Sequence, residues 1–219
     1  MVRYRQISST LCHPVLTTAH HRLLPIQASA GPGPKTTAAK AANIQQDRMA
    51  LTPDELFAAL TGLGIAHTTV THPPLFTVEE SQALRGKIPG AHTKNLFLRD
   101  KKQTIYLIVA QEDALIDLKG LHRVLGATGR FSFGSADLMA EVLGVRPGSV
   151  TPFGAINDTA GRVAVVLDRA LMEHAIINAH PLVNTMTTSL SREDLVKFLD
   201  STGHPPRIER VSGRPQEPG

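Results

Sequence analysis

The run Thr104-Ile105-Tyr106-Leu107-Ile108-Val109-Ala110 constrains this chain more than any other stretch, because it is apolar on both faces of the strand it spells. A strand without a polar face belongs in the middle of a sheet and needs cover on both sides. Just upstream, residues 94–99 alternate and Asp100-Lys101-Lys102-Gln103 supplies a polar turn, so the two segments read as a hairpin whose second strand is central.

Short, capped helices surround that hairpin. Thr52-Pro53-Asp54-Glu55 is a capping box with proline at the first helical position, after which Leu56, Ala59, Leu60 and Leu63 mark one face until Gly64. Thr77-Val78-Glu79-Glu80 opens a second helix that runs to about Arg85. Leu118, Leu121 and Leu125 predict a third, ended by Gly126, and Ser135 caps a fourth carrying Leu138, Met139, Val142 and Leu143 into Gly144. Ser191-Arg192-Glu193-Asp194 starts the last, which closes near Gly203. Strands are expected at 65–72, 130–133, 175–179 and 185–189, with a second hairpin pairing 154–157 and 162–168 around Asp158-Thr159-Ala160-Gly161. Hairpins mixed with helices, without regular β-α-β alternation, predict an α+β fold with a mixed, largely antiparallel sheet.

Charge divides the chain. Residues 1–48 hold six basic residues, Arg3, Arg5, Arg22, Lys35, Lys40 and Arg48, against Asp47, so the formal +4 of the whole leaves about −1 for the remainder. This Ser/Thr/Ala-rich stretch reads as a transit peptide, as a disordered arm that touches RNA, or, the reading favoured here, as upstream sequence included by a misassigned start. Under that reading its deletion leaves the activity of the rest intact. The folded domain is expected over 49–206, with 207–219 a flexible tail. The single cysteine, Cys12, excludes an internal disulfide and suits a reducing cytoplasm. No apolar run is long enough to span a bilayer.

No Gly-x-Ser-x-Gly elbow, His-Glu-x-x-His, Walker loop or Gly-x-Gly-x-x-Gly is present. What stands out is the loop Gly144-Val145-Arg146-Pro147-Gly148-Ser149-Val150-Thr151-Pro152-Phe153-Gly154, where proline fixes the backbone and glycine lets it approach a ligand. Polar residues also gather at strand ends: Lys94 and Asn95, Asn157 and Asp158, His180-Pro181 and Asn184. Residues 85–130 carry nine lysines and arginines against four acids, an excess suited to a phosphate backbone or to a solvated surface. With two tyrosines and no tryptophan, a stacking platform of the RRM type is not expected.

In order, Lys94-Asn95-Leu96-Phe97-Leu98-Arg99, Asp117-Leu118-Lys119, Phe131-Ser132-Phe133, the 143–154 loop, Asn157-Asp158 and His180-Pro181-Leu182-Val183-Asn184-Thr185 resemble the YbaK/ProX family of aminoacyl-tRNA editing deacylases. The likeness runs from about Met49 to Pro206 and is greatest to freestanding prolyl-tRNA editing proteins related to the insertion domain of bacterial prolyl-tRNA synthetase. It implies a YbaK-like sheet or partial barrel surrounded by helices. It also implies a cytoplasmic, metal- and cofactor-free hydrolase that removes alanine from proline tRNA, with prolyl-tRNA synthetase or an elongation factor as transient partners.

The same resemblance makes Lys94, Gly148 and His180 the catalytic set. Asn95, Ser149, Val150, Thr151, Pro152, Asn157, Asp158 and Asn184 are expected to hold substrate. Arg85, Lys87, Lys101 and Lys102 are expected to touch tRNA. Ala179 stands where many relatives carry glycine. An aminoacyl ester is already activated, so fixed amides and one cation suffice to orient water and stabilise an oxyanion. The expected arrangement has loop amides facing the Lys94 ammonium, with Asp158 steadying the loop or Lys94, and Met172 and Ile176 narrowing the pocket against proline. Action on cysteinyl-, seryl- or threonyl-tRNA, or tRNA or synthetase binding without hydrolysis, are the competing readings.

Overall fold

In the computed structural model, residues 50–74 and 88–213 are described. They build an eight-stranded sheet in the order β1-β7-β6-β2-β3-β5-β8, with β4 beside β2. The strands are β1 His67–Thr71, β2 Ala91–Arg99, β3 Ile105–Gln111, β4 Ser132–Phe133, β5 Val163–Asp168, β6 Ile176–Ala179, β7 Met186–Ser191 and β8 Arg207–Glu209. The helices are α1 Pro53–Gly62, α2 Leu121–Leu125, α3 Ala136–Leu143 and α4 Arg192–Ser201.

The sheet is mixed, as expected. The β1–β7, β2–β3, β2–β4 and β6–β7 pairs are antiparallel, and β2–β6, β3–β5 and β5–β8 are parallel. The all-apolar run became the central strand: residues 105–110 of β3 are all buried between β2 and β5. Its two faces feed two clusters. Leu107 and Val109 join Phe97, Val165, Phe153 and Phe198 on one face, while Tyr106 and Ile108 join Leu98, Leu121 and Val166 on the other. Burying one such leucine or isoleucine contributes about 1.5–3 kcal/mol.

The caps are where the sequence put them. Thr52 accepts from the Glu55 amide while the Glu55 carboxylate accepts from the Thr52 amide, and Ser135 and Ser191 cap α3 and α4 through the amides of Leu138 and Asp194. The expected helix over 77–85 lies outside the described residues.

Two expectations fail. Residues 154–157 form no hairpin strand: Thr151 caps a 3-10 helix, Pro152–Asn157, and β5 pairs in parallel with β3 instead. The proline that stiffens the loop also starts a helical turn, which local alternation concealed. Nor does the polar end fray at 206, since β8 pairs with β5 and the Asp168 carboxylate accepts the amides of Val211 and Ser212.

Candidate functional site

Among the described residues, β2 is paired on both sides but leaves a gap on one of them. β3 follows it over 93–99, whereas on the opposite side β6 meets only Ala91 and His92, and β4 only Leu98 and Arg99. The Phe97 carbonyl accepts from the Gly134 amide at 2.9 Å and so points to the gapped side. Main-chain groups two residues apart share an edge, so the N–H and C=O of Asn95 face the gap.

Alternation then divides the two polar residues of the strand. Asn95 shares the face of Phe97, and Lys94 that of Leu98. The Asn95 Nδ2 donates to the Val150 carbonyl at 2.9 Å, tying the glycine loop to β2, while its buried Oδ1 has no partner among the described residues. The Lys94 ammonium instead donates to the Ala114 carbonyl. Burial lowers its pKa from 10.5, opposed by the charges of Asp113, Glu112 and Asp168. The expected ammonium facing the loop across a pocket is therefore corrected. The strand separates them, and a substrate that engages both must lie across the unpaired edge at Asn95.

In the loop, Gly148 has φ +89°, a left-handed conformation that side chains resist. Space is not the reason for glycine here, because among the described residues a Cβ would come within 4 Å only of Asn184 Nδ2, at 3.9 Å. Asn184 thus stands beside Gly148. The Ser149 amide closes a turn onto the Arg146 carbonyl, and Ser149 is buried.

His180 follows β6. Its Nδ1 lies 3.0 Å from the Met186 carbonyl, which only accepts, so Nδ1 carries the proton and Nε2 is left as an acceptor. Burial pushes the His180 pKa below 6.5; the Met186 carbonyl opposes this, His72 and His92 push it further down, and Glu112 pulls it up. The His72 ring centroid is 6.4 Å away. The charge of Glu112 favours the protonated form of both Lys94 and His180. Ala179 needs no glycine's freedom, being paired with Thr188 in β6; the left-handed residue of this loop is Leu182, with φ +67° and a buried side chain.

Four expected substrate residues have structural partners. The Thr151 hydroxyl accepts from the Phe153 amide and is fully buried, and Pro152 opens the 3-10 helix. Asn157 accepts from the Leu51 amide and donates to the Leu143 carbonyl, so its carboxamide is spent on joining α1 to α3. Asp158 holds neither loop nor Lys94: its carboxylate takes the Val163 amide at 2.8 Å and His204 Nε2 at 3.1 Å. Met172 packs on the core and Ile176 crowds Gly90. Lys101 and Lys102 are exposed in the β2–β3 turn, and Arg85 and Lys87 lie outside the described residues.

Sequence reasoning missed His72, His92 and Glu112. Only His92 had a legible signal, two residues before Lys94 on the same strand face. A separate groove of about 560 Å³ between α1 and α4, lined by Ala59, Leu63, Phe198 and Thr202, touches none of these residues.

Comparison with known proteins adds an independent line. Residues 72–198 match a family described as the aminoacyl-tRNA editing domain. The chain is 39% identical over 150 residues to the prolyl-tRNA editing protein ProX of Acetoanaerobium sticklandii, covering 68% of this chain and 91% of that one. It is 40% identical over 158 residues to prolyl-tRNA synthetase associated domain-containing protein 1 of Mus musculus, covering 70% and 93%. A crystal structure described as a candidate trans-editing enzyme for prolyl tRNA synthetase shares the fold, with TM-score 0.57 at 20% identity over 75% of this chain and all of that one.

Proposed function

The chain belongs to the aminoacyl-tRNA editing domain family, and on that premise we propose that it hydrolyses mischarged alanyl-tRNA(Pro) in trans, in the cytoplasm, meeting prolyl-tRNA synthetase or an elongation factor only transiently. The observation that carries the reading is the edge of β2 at Asn95, which no described strand pairs, between the glycine loop on one face and the Lys94 ammonium on the other.

An aminoacyl ester laid across that edge meets donors fixed before it arrives, so no reorganisation is needed as the oxyanion forms. The Gly148 amide and the Asn95 N–H hold the ester and ribose. Lys94 exchanges the Ala114 carbonyl for a phosphate or the ester oxygen. Neutral His180 offers Nε2 to a donor on the substrate, and the neighbouring ribose hydroxyl helps activate water. Size gives selectivity, because differences of about 1–3 kcal/mol per methylene leave a synthetase in need of a second sieve.

A panel of mischarged tRNAs tests the substrate: alanyl-tRNA(Pro) should be hydrolysed fastest, and preference for a cysteinyl, seryl or threonyl ester would replace it. Lys94→Ala should lower kcat/KM about 100-fold or more, the effect of losing one preorganised oxyanion partner. Unchanged hydrolysis in that variant would remove Lys94 from the mechanism, and absence of hydrolysis by the unaltered protein would leave a binding module.

A further inference from the structure

Phe133 stands out on the surface: it is a phenylalanine 63% exposed on the two-residue strand β4, while Phe131, just before that strand, packs edge-on against Tyr106. Phe133 pairs with Leu98, so both side chains lie on one face of the sheet, and alternation puts Leu96 and Lys94 on that face in turn. Four residue steps take Leu98 to Lys94, a span of about 13 Å along the gapped edge of β2.

Beyond Phe133 the charge turns positive. The Lys101 amide bonds the Thr128 carbonyl at 3.0 Å, and the Lys101 side chain lies across Gly129, where a Cβ would sit 2.7 Å from its Cδ. Lys101, Lys102 and Arg130 are all exposed. The acid among them, Asp100, is buried and turns its carboxylate inward to the amides of Thr104 and Thr128, leaving the cations outward. Along one edge the order is therefore ammonium, aromatic ring, basic turn.

We propose that Phe133 stacks an unpaired base of the tRNA 3′ end, one of the cytidines preceding the terminal adenosine, while Lys101, Lys102 and Arg130 hold the phosphates behind it. The inference rests on the deacylase reading, which puts the terminal ribose beside Lys94. A flexible single strand with its last ribose there runs outward past Phe133. Stacking on an aromatic face suits this strand because any base supplies a π surface, and the backbone charge finds its complement in the turn. An apolar protein segment would gain nothing from the three cations.

The test uses the full chain and uncharged proline tRNA, with binding read by fluorescence anisotropy and hydrolysis measured separately on alanyl-tRNA(Pro). Phe133→Ala should weaken binding about 5- to 150-fold with the salt dependence unchanged, and Phe133→Tyr should restore it. On tRNA with abasic sites at both cytidines, wild type and Phe133→Ala should bind equally. Equal binding by the two proteins on intact tRNA, or a loss that persists on the abasic tRNA, overturns the proposal. So does a loss confined to binding of prolyl-tRNA synthetase. Failure of the unaltered protein to hydrolyse any mischarged tRNA overturns the deacylase reading instead, and intact hydrolysis with indifferent Phe133→Ala overturns this inference alone. Because the side chain is exposed, the melting temperature should stay within about 2 °C of wild type.

Discussion

Replacing Asp158 with asparagine should damage the fold and spare the chemistry. Both Asp158 and His204 side chains are 1% exposed, with Nε2 3.1 Å from Oδ2. The Thr202 hydroxyl donates to the Leu199 carbonyl, so at 3.1 Å it accepts from His204 Nδ1. Both ring nitrogens thus have hydrogen-bond partners, and the Nε2 contact to the Asp158 carboxylate is a buried pair. Asparagine keeps an acceptor for the Val163 amide but removes the negative charge that holds His204 Nε2. Breaking a buried pair this way costs about 3–5 kcal/mol, and at about 2–4 °C per kcal/mol for a domain of this size the melting temperature should fall by about 6–20 °C. Calorimetry measures that loss, and deacylation at 20 °C, where the variant remains folded, should stay within about twofold of wild type. Joint replacement by Asp158→Leu and His204→Phe should recover part of the stability, because an apolar pair leaves no charge uncompensated. A variant that melts normally but loses kcat/KM would refute the reasoning and return Asp158 to the substrate.

The same carboxylate sets the acid limit of stability. Burial works to raise its pKa, but hydrogen bonds from His204 and the amides of Val163 and Arg162 outweigh that and hold it below 3.8. Its contribution is therefore complete above the unfolded value and lost as pH falls through the folded one, which urea titrations between pH 3 and 6 should show for wild type and not for Asp158→Asn. For activity, His180 is depressed below 6.5 and Lys94 below 10.5, so kcat/KM, corrected for spontaneous ester hydrolysis, should fall only under pH 6.5 and again somewhere short of 10.5. His180→Ala should abolish the acid limb. Gly148→Ala should lower kcat/KM at least tenfold with a stability loss of about 1–3 kcal/mol, since a left-handed residue must strain or move the loop; equal kcat/KM would show that the loop amides do not position the ester.

Local signals carried much of this fold. Thr52, Ser135 and Ser191 cap their helices because hydroxyls satisfy amides a few residues away, and the 105–110 run is central because it has no face for water. The alternation of β2 also contained the division of Lys94 from Asn95, but it acquired meaning only once Phe97 and Leu98 were seen in different clusters. Residues 152–157 misled because a proline-led 3-10 turn and a short strand look alike over six positions. His204 and Asp158 were unreadable as a pair, being 46 positions apart with no period linking them.

The sequence alone decided where helices begin, which strand is innermost, and which ordered set of residues marks an aminoacyl-tRNA editing domain. Tertiary structure alone decided that β5 lies parallel to β3, that β8 extends the sheet, and that one edge of β2 has no described strand partner at Asn95. Short-range hydrogen bonds and side-chain periodicity are written in neighbouring residues. Strand partnership is not, because it depends on which distant segment satisfies an edge and covers a face.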